Sequence, residues 1–98
     1  MDRQEALARL RQSESALRER GVCHAALFGS VARGDNRPDS DIDIMIEIEP
    51  DVVQDVYSYV GLKTYIASLF EGPVEVVNRD GLKPSIRPAA TADAIYAF

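Results

Sequence analysis

Between positions 41 and 48 the chain reads Asp-Ile-Asp-Ile-Met-Ile-Glu-Ile. Isoleucine at every second position is the two-residue period of a β-strand. Ile42, Ile44, Ile46 and Ile48 therefore face a core, while Asp41 and Asp43 share the opposite face with Met45 and Glu47 beyond them. A chain carrying this segment must build a sheet with one face buried and one face that tolerates paired acids.

The surrounding segments supply that sheet's partners. Residues 2–20 read as a helix with Ala6, Leu7, Leu10 and Leu17 near one face. Asp2 followed by Glu5 fits a capping box, and Gly21 fits the position just past the helix end. Val22 to Phe28 has the length and apolar continuity of a strand covered on both faces, and Gly29-Ser30 ends it. Residues 34–40 are loop chemistry, so a helix opening at Ser30 is short. Pro50-Asp51 opens a second long helix, about 52–70, with Val52, Val56, Tyr59 or Val60, Ile66 and Leu69 at helical spacing. Gly72-Pro73 breaks it, Val74 to Val77 forms a third strand, and Asn78 to Lys83 is a loop or a single turn. Pro84 occupies the first turn of a last helix ending near Tyr96. The expected architecture is α/β (α+β), a small three-stranded mixed sheet with helices mainly on one face, in the order α-β-(short α)-β-α-β-α.

At 98 residues the expectation is one domain, 1–98, with no second core. No apolar run approaches the roughly 18–20 residues that span a bilayer, and no signal-peptide pattern opens the chain, so a cytoplasmic protein is expected. One cysteine, Cys23, excludes an internal disulfide, and with one histidine, His24, it cannot make a four-ligand Cys/His zinc site. Eleven basic against sixteen acidic residues, net −5, argue against an autonomous grip on nucleic acid.

The chemistry concentrates in Gly29-Ser30-Val31-Ala32-Arg33-Gly34-Asp35 and, further on, Ser40-Asp41-Ile42-Asp43. A strand ending in Gly-Ser at a helix start offers free backbone N–H groups to an anion. Gly29 permits close approach of a phosphate, and the Ser30 hydroxyl adds a donor. The two aspartates, at i and i+2 of a strand, project side by side about 6–7 Å apart, a spacing that a divalent cation bridges. An anion cradle beside a carboxylate pair suits a metal-bound nucleoside triphosphate.

These residues resemble the signature of the DNA polymerase beta superfamily of nucleotidyltransferases: Gly-Ser, ten intervening residues, then Asp-x-Asp. The fuller run is similar to that of the minimal nucleotidyltransferases, the antitoxin halves of prokaryotic pairs whose toxin is a HEPN-domain ribonuclease. The resemblance implies the nucleotidyltransferase fold, with Gly29 and Ser30 on the β and γ phosphates. It also implies Asp41 and Asp43 as catalytic metal ligands, with Mg²⁺, two ions, as cofactor and ATP as substrate. The family's third acid corresponds to Glu75 in Val74-Glu75-Val76-Val77, a longer arm where an aspartate is usual. Arg33 and Ser40 flank the phosphate loop and are candidate phosphate contacts; a salt bridge from Arg33 to Asp35 and a loop cap at Ser40 are the plainer uses.

The activity so implied is transfer of AMP to a tyrosine hydroxyl of a cognate HEPN toxin, in a hetero-oligomer with it. Two other readings stay open: a catalytically weak antitoxin that neutralises its toxin by forming a complex, and a small subunit that modifies a small-molecule hydroxyl. Tyr57, Tyr59 and Tyr65 are expected to pack in a core or groove, with base stacking as the rarer use. His24 is expected to be a packed histidine and Cys23 a small buried hydrophobe.

Overall fold

In a computed structural model, residues 2–37, 41–82, 84–85 and 87–98 are described. The elements are α1 (Arg3–Gln12), α2 (Glu14–Glu19), β1 (Val22–Phe28), α3 (Gly29–Arg33), β2 (Ile42–Ile48), α4 (Val56–Ser68), β3 (Val74–Asn78), a 3-10 turn (Arg79–Gly81), α5 (Arg87–Asp93) and β4 (Ile95–Tyr96). The sheet order is β3-β2-β1-β4. β1 runs antiparallel to β2 and β4, and β2 runs parallel to β3, so the sheet is mixed.

The alternating isoleucines behave as their period requires. Ile42, Ile44 and Ile46 are buried, joined by Ala25 and Leu27 from β1 and Val76 from β3. Against this face pack Ala6, Leu7 and Leu10 of α1, Leu17 of α2, Val31 and Ala32 of α3, and Leu62 and Ile66 of α4. Truncating a fully buried member such as Ile44 to alanine removes both transfer energy and packing, typically about 2–5 kcal/mol. No helix among the described residues is long and apolar enough to cross a membrane.

Four boundaries depart from the sequence-based expectation. The sheet has four strands: the chain leaves α5 at Asp93, and Ile95–Tyr96 pairs with β1 through Ala26 and Leu27. Two paired residues are too short to register as a period. The first helix is divided at Ser13, whose N–H is shared between the carbonyls of Arg9 (3.3 Å) and Leu10 (3.2 Å). The expected capping contact is present at its start, the Glu5 N–H donating to the Asp2 carboxylate at 2.8 Å. The long helix begins at Val56 rather than 52, because Asp55, not Asp51, caps it by accepting from the Ser58 N–H at 2.7 Å. The last helix starts at Arg87, past Pro84.

The apolar residues of the α4 region consequently divide. Ile66 is buried and Tyr59, Tyr65 and Leu69 pack partly against the core, but Val52, Val56, Tyr57 and Val60 are exposed.

Candidate functional site

The antiparallel register of β1 and β2 sets Phe28 opposite Asp43. Because Gly29 follows Phe28 directly, pairing the two strands brings the Gly-Ser turn onto the Asp-x-Asp segment. The intervening residues supply α3 and the loop that lets the chain reverse. Val31 and Ala32 are buried and anchor α3 on the core, and Arg3 donates to the Ala32 carbonyl at 3.0 Å. Ser30 is left half-buried at the helix start. The N-cap residue, Phe28, contributes no side-chain hydrogen bond to the first turn. Gly34, at φ +80°, closes the helix with its N–H on the Ser30 carbonyl at 3.0 Å.

Gly29 is fixed by two independent constraints. Its φ is +73°, a left-handed conformation that side chains rarely adopt. A Cβ there would also run into the Asp43 carboxylate. The backbone and the acid thus occupy adjoining space that only glycine leaves open.

On the other side of Asp43 stands Glu75, its partner in the parallel β2–β3 register. Burial raises the Asp43 pKa above its ordinary value, and the charges of Glu75 and Asp41 raise it further, while Arg33 opposes them. Asp43 is half-buried; Asp41 and Glu75 are exposed. Among the described residues no three His, Cys, Asp or Glu side chains converge into a preformed metal cage. The geometry is of one half-buried acid flanked by two exposed ones.

The Arg33 guanidinium is held by two carboxylates. Its Nε donates to Asp35 at 3.2 Å and its Nη1 to Asp93 at 2.9 Å, which ties α3 to the end of α5. Ser40 lies outside the described residues.

Residues 10–97 match the nucleotidyltransferase domain family. The chain belongs to that family. The nucleotidyltransferase is 32% identical over 81 residues to the protein adenylyltransferase MntA of Thermococcus cleftensis, covering 82% of this chain and 80% of that one. It is 30% identical over 89 residues to a candidate protein adenylyltransferase of Methanocaldococcus jannaschii, covering 89% of each. A solved structure described as a minimal nucleotidyltransferase superposes with a TM-score of 0.79 at 32% identity, over 97% of this chain and 95% of that chain. A chain in a crystal structure of a toxin–antitoxin with AMP-PNP shares the fold, with a TM-score of 0.70 at 20% identity over 90% of this chain and 72% of that one.

Beyond the signature, the acid-bearing face of the nucleotidyltransferase sheet, which also buries Met45 and Ala26, carries a second polar group. Tyr96 donates its hydroxyl to Glu47 at 3.2 Å, and Arg79 stands 3.8 Å from the other Glu47 oxygen. Their dependence on β4 and on the turn after β3 hid this grouping in the sequence. Two expectations are corrected beside it. His24 is exposed, edge-on to Tyr96, because its strand position faces away from the helices. Cys23 is only partly buried, with its Sγ 3.6 Å from the Glu49 carboxylate; desolvation and Glu49 raise the thiol pKa.

Proposed function

We propose that this nucleotidyltransferase is an antitoxin that transfers AMP from ATP to a tyrosine hydroxyl of a cognate HEPN-domain ribonuclease and thereby silences it. The observation that carries the reading is the contact between the Gly29 backbone and Asp43, with Glu75 in register beside the acid. The names of the relatives support protein adenylylation.

In the proposed reaction the tyrosine oxygen bonds to the α-phosphorus of ATP. The bond from that phosphorus to the β-phosphate bridging oxygen breaks, pyrophosphate leaves, and the hydroxyl proton passes to a site carboxylate and on to water. Gly29 and Ser30 hold the β and γ phosphates, the first by close backbone approach and the second by its hydroxyl. Arg33 and Ser40 complete the phosphate contacts, Arg33 by exchanging a carboxylate partner for the triphosphate. Asp41, Asp43 and Glu75 are the acids that would hold Mg²⁺. Hard carboxylate oxygens suit this ion, and the like-charge repulsion that raises Asp43 is what a cation would relieve. Held by these acids, Mg²⁺, two ions in this reading, would neutralise phosphate charge and lower the pKa of the attacking hydroxyl. Positioning and charge neutralisation supply most of the rate in such transfers, so few residues suffice.

The test is mass spectrometry of the ribonuclease encoded beside this chain after incubation with the chain, Mg²⁺ and ATP. A gain of AMP on a tyrosine, abolished by Asp41→Asn or Asp43→Asn, is expected; an unchanged mass refutes the reading.

The exposed position and longer arm of Glu75 favour one second reading, neutralisation by occlusion in a complex. Neutralisation that survives loss of both aspartates would support it.

A further inference from the structure

A different surface of the molecule is built to be covered. The turn before α4 and the first two turns of that helix present Val52, Val56, Tyr57 and Val60, which are 52%, 73%, 89% and 53% exposed. Val56 and Val60, one helical turn apart, lie along one stripe of α4, and Val52 stands in the turn before it. Valine is a poor choice for an exposed helix position, since its branched Cβ restricts rotamers and it gains nothing from water. Beside the stripe opens a cleft of about 470 Å³, its walls including Ile48, Val53, Val56 and Tyr59. Its volume suits one large apolar side chain or a short apolar segment.

The rim of this surface is acidic. From Glu47 to Leu62 the sequence carries Glu47, Glu49, Asp51 and Asp55 and no lysine or arginine. Glu49, Asp51 and Asp55 are exposed. The cations closest to this surface are engaged elsewhere: Lys63 lies over Tyr59, Arg20 over Tyr65, and Arg79 faces Glu47. This charge distribution selects among occupants. In a two-fold dimer the patch would meet itself and set three acids against the same three, which costs affinity. A partner with apolar anchors ringed by lysine and arginine satisfies both the stripe and its rim.

We propose that the start of α4 is the docking surface for a basic protein, which seats an apolar side chain in the adjoining cleft. The identity of that protein rests on the function proposed above: it is the ribonuclease that receives AMP. Ile48, on the cleft wall, is five residues along β2 from Asp43, about 17 Å at strand rise. Docking and transfer are therefore separate on the surface, and the partner must reach across the sheet to present its hydroxyl.

The experiment measures binding by calorimetry between this chain and the ribonuclease encoded beside it, and the kinetics of AMP transfer between them. Val56→Gln with Val60→Gln should weaken binding at least ten-fold and raise KM for the ribonuclease with kcat little changed. Asp51→Lys should weaken binding several-fold and flatten its dependence on salt. Both sites are exposed, so circular dichroism and Tm should match the parent. Binding with unchanged affinity in the double variant overturns the proposal, as does absence of binding by the parent chain. A parent dimer that the double variant converts to monomer also overturns it, because the occupant is then a second copy. Binding that depends on Val56 and Val60 without any AMP transfer would leave the docking surface standing and refute the proposed activity. Transfer that ignores both valines would do the reverse.

Discussion

The backbone of Gly29 and the carboxylate of Asp43 occupy touching space, so that a single added methyl at position 29 would displace the acid. The Gly29-Ser30 turn and Asp43 are thus one steric unit rather than two neighbouring motifs.

Gly29→Ala should therefore act twice. Forcing a side chain into a left-handed conformation costs about 1–3 kcal/mol, and pushing Asp43 aside should lower AMP transfer at least a hundred-fold. If the collision matters, part of the stability loss should vanish when Asp43→Ala is combined with it, a coupling that a double-mutant cycle reads directly.

Asp43 predicts an unusual pH profile for the metal-free protein. Its folded pKa is raised, mainly by burial and then by Glu75 and Asp41, so the folded state binds a proton more readily than the unfolded chain. Stability must then fall as pH rises from the ordinary aspartate range through the raised folded value, and stay lower above it. Asp43→Asn should increase Tm at neutral pH, remove that part of the pH dependence, and cancel any further stabilisation by Mg²⁺. Thermal denaturation across pH 3–8, with and without the ion, checks all three.

Asp55 behaves in the opposite sense. Hydrogen bonds from the Ser58 backbone and side chain hold its carboxylate below the usual range. Its contribution to the start of α4 is present above the unfolded aspartate pKa and is lost as pH falls through the depressed folded value. Asp55→Ala should lower Tm by a few degrees at pH 7 and by much less near pH 2.

Under the proposed reaction, Glu75 lets charge and arm length be tested apart. Glu75→Gln should abolish the mass gain on the ribonuclease, while Glu75→Asp, which restores the shorter arm of the family, should retain or improve it. Equal activity in both variants would remove Glu75 from the reaction.

Much of this architecture was legible in the residues because period and chemistry pointed the same way. The alternating isoleucines located β2 and its buried face, and the spacing from Gly29 to Asp43 proved to be the length needed for a strand to end, make one helical turn and pair back. What stayed hidden depended on contacts distant in the chain. The two-residue β4 forms only because β1 offers an edge, and the link from Arg33 to Asp93 exists only once α5 is in place. In the sequence Val52, Val56 and Val60 carry the same periodic signal as a core face, and only the fold shows that Val52 precedes the helix and that all three are exposed.

The mixed direction of the sheet has a consequence for how the site comes into being. Gly29 and Asp43 meet through an antiparallel pairing closed by one short helix and a loop, whereas Glu75 reaches Asp43 only after the chain has crossed through α4 to lie parallel to β2. Closing the shorter excursion costs less entropy, so the turn-and-acid pair should assemble first and the third acid last. Local opening should follow the reverse path, releasing β3 while the Gly29–Asp43 contact persists. Pulsed hydrogen exchange that protects β3 amides before those of β1 would contradict this order. Under the proposed function, a molecule caught part-way would keep the Gly29–Asp43 contact without Glu75 beside it, so its first loss on heating should be AMP transfer rather than nucleotide binding.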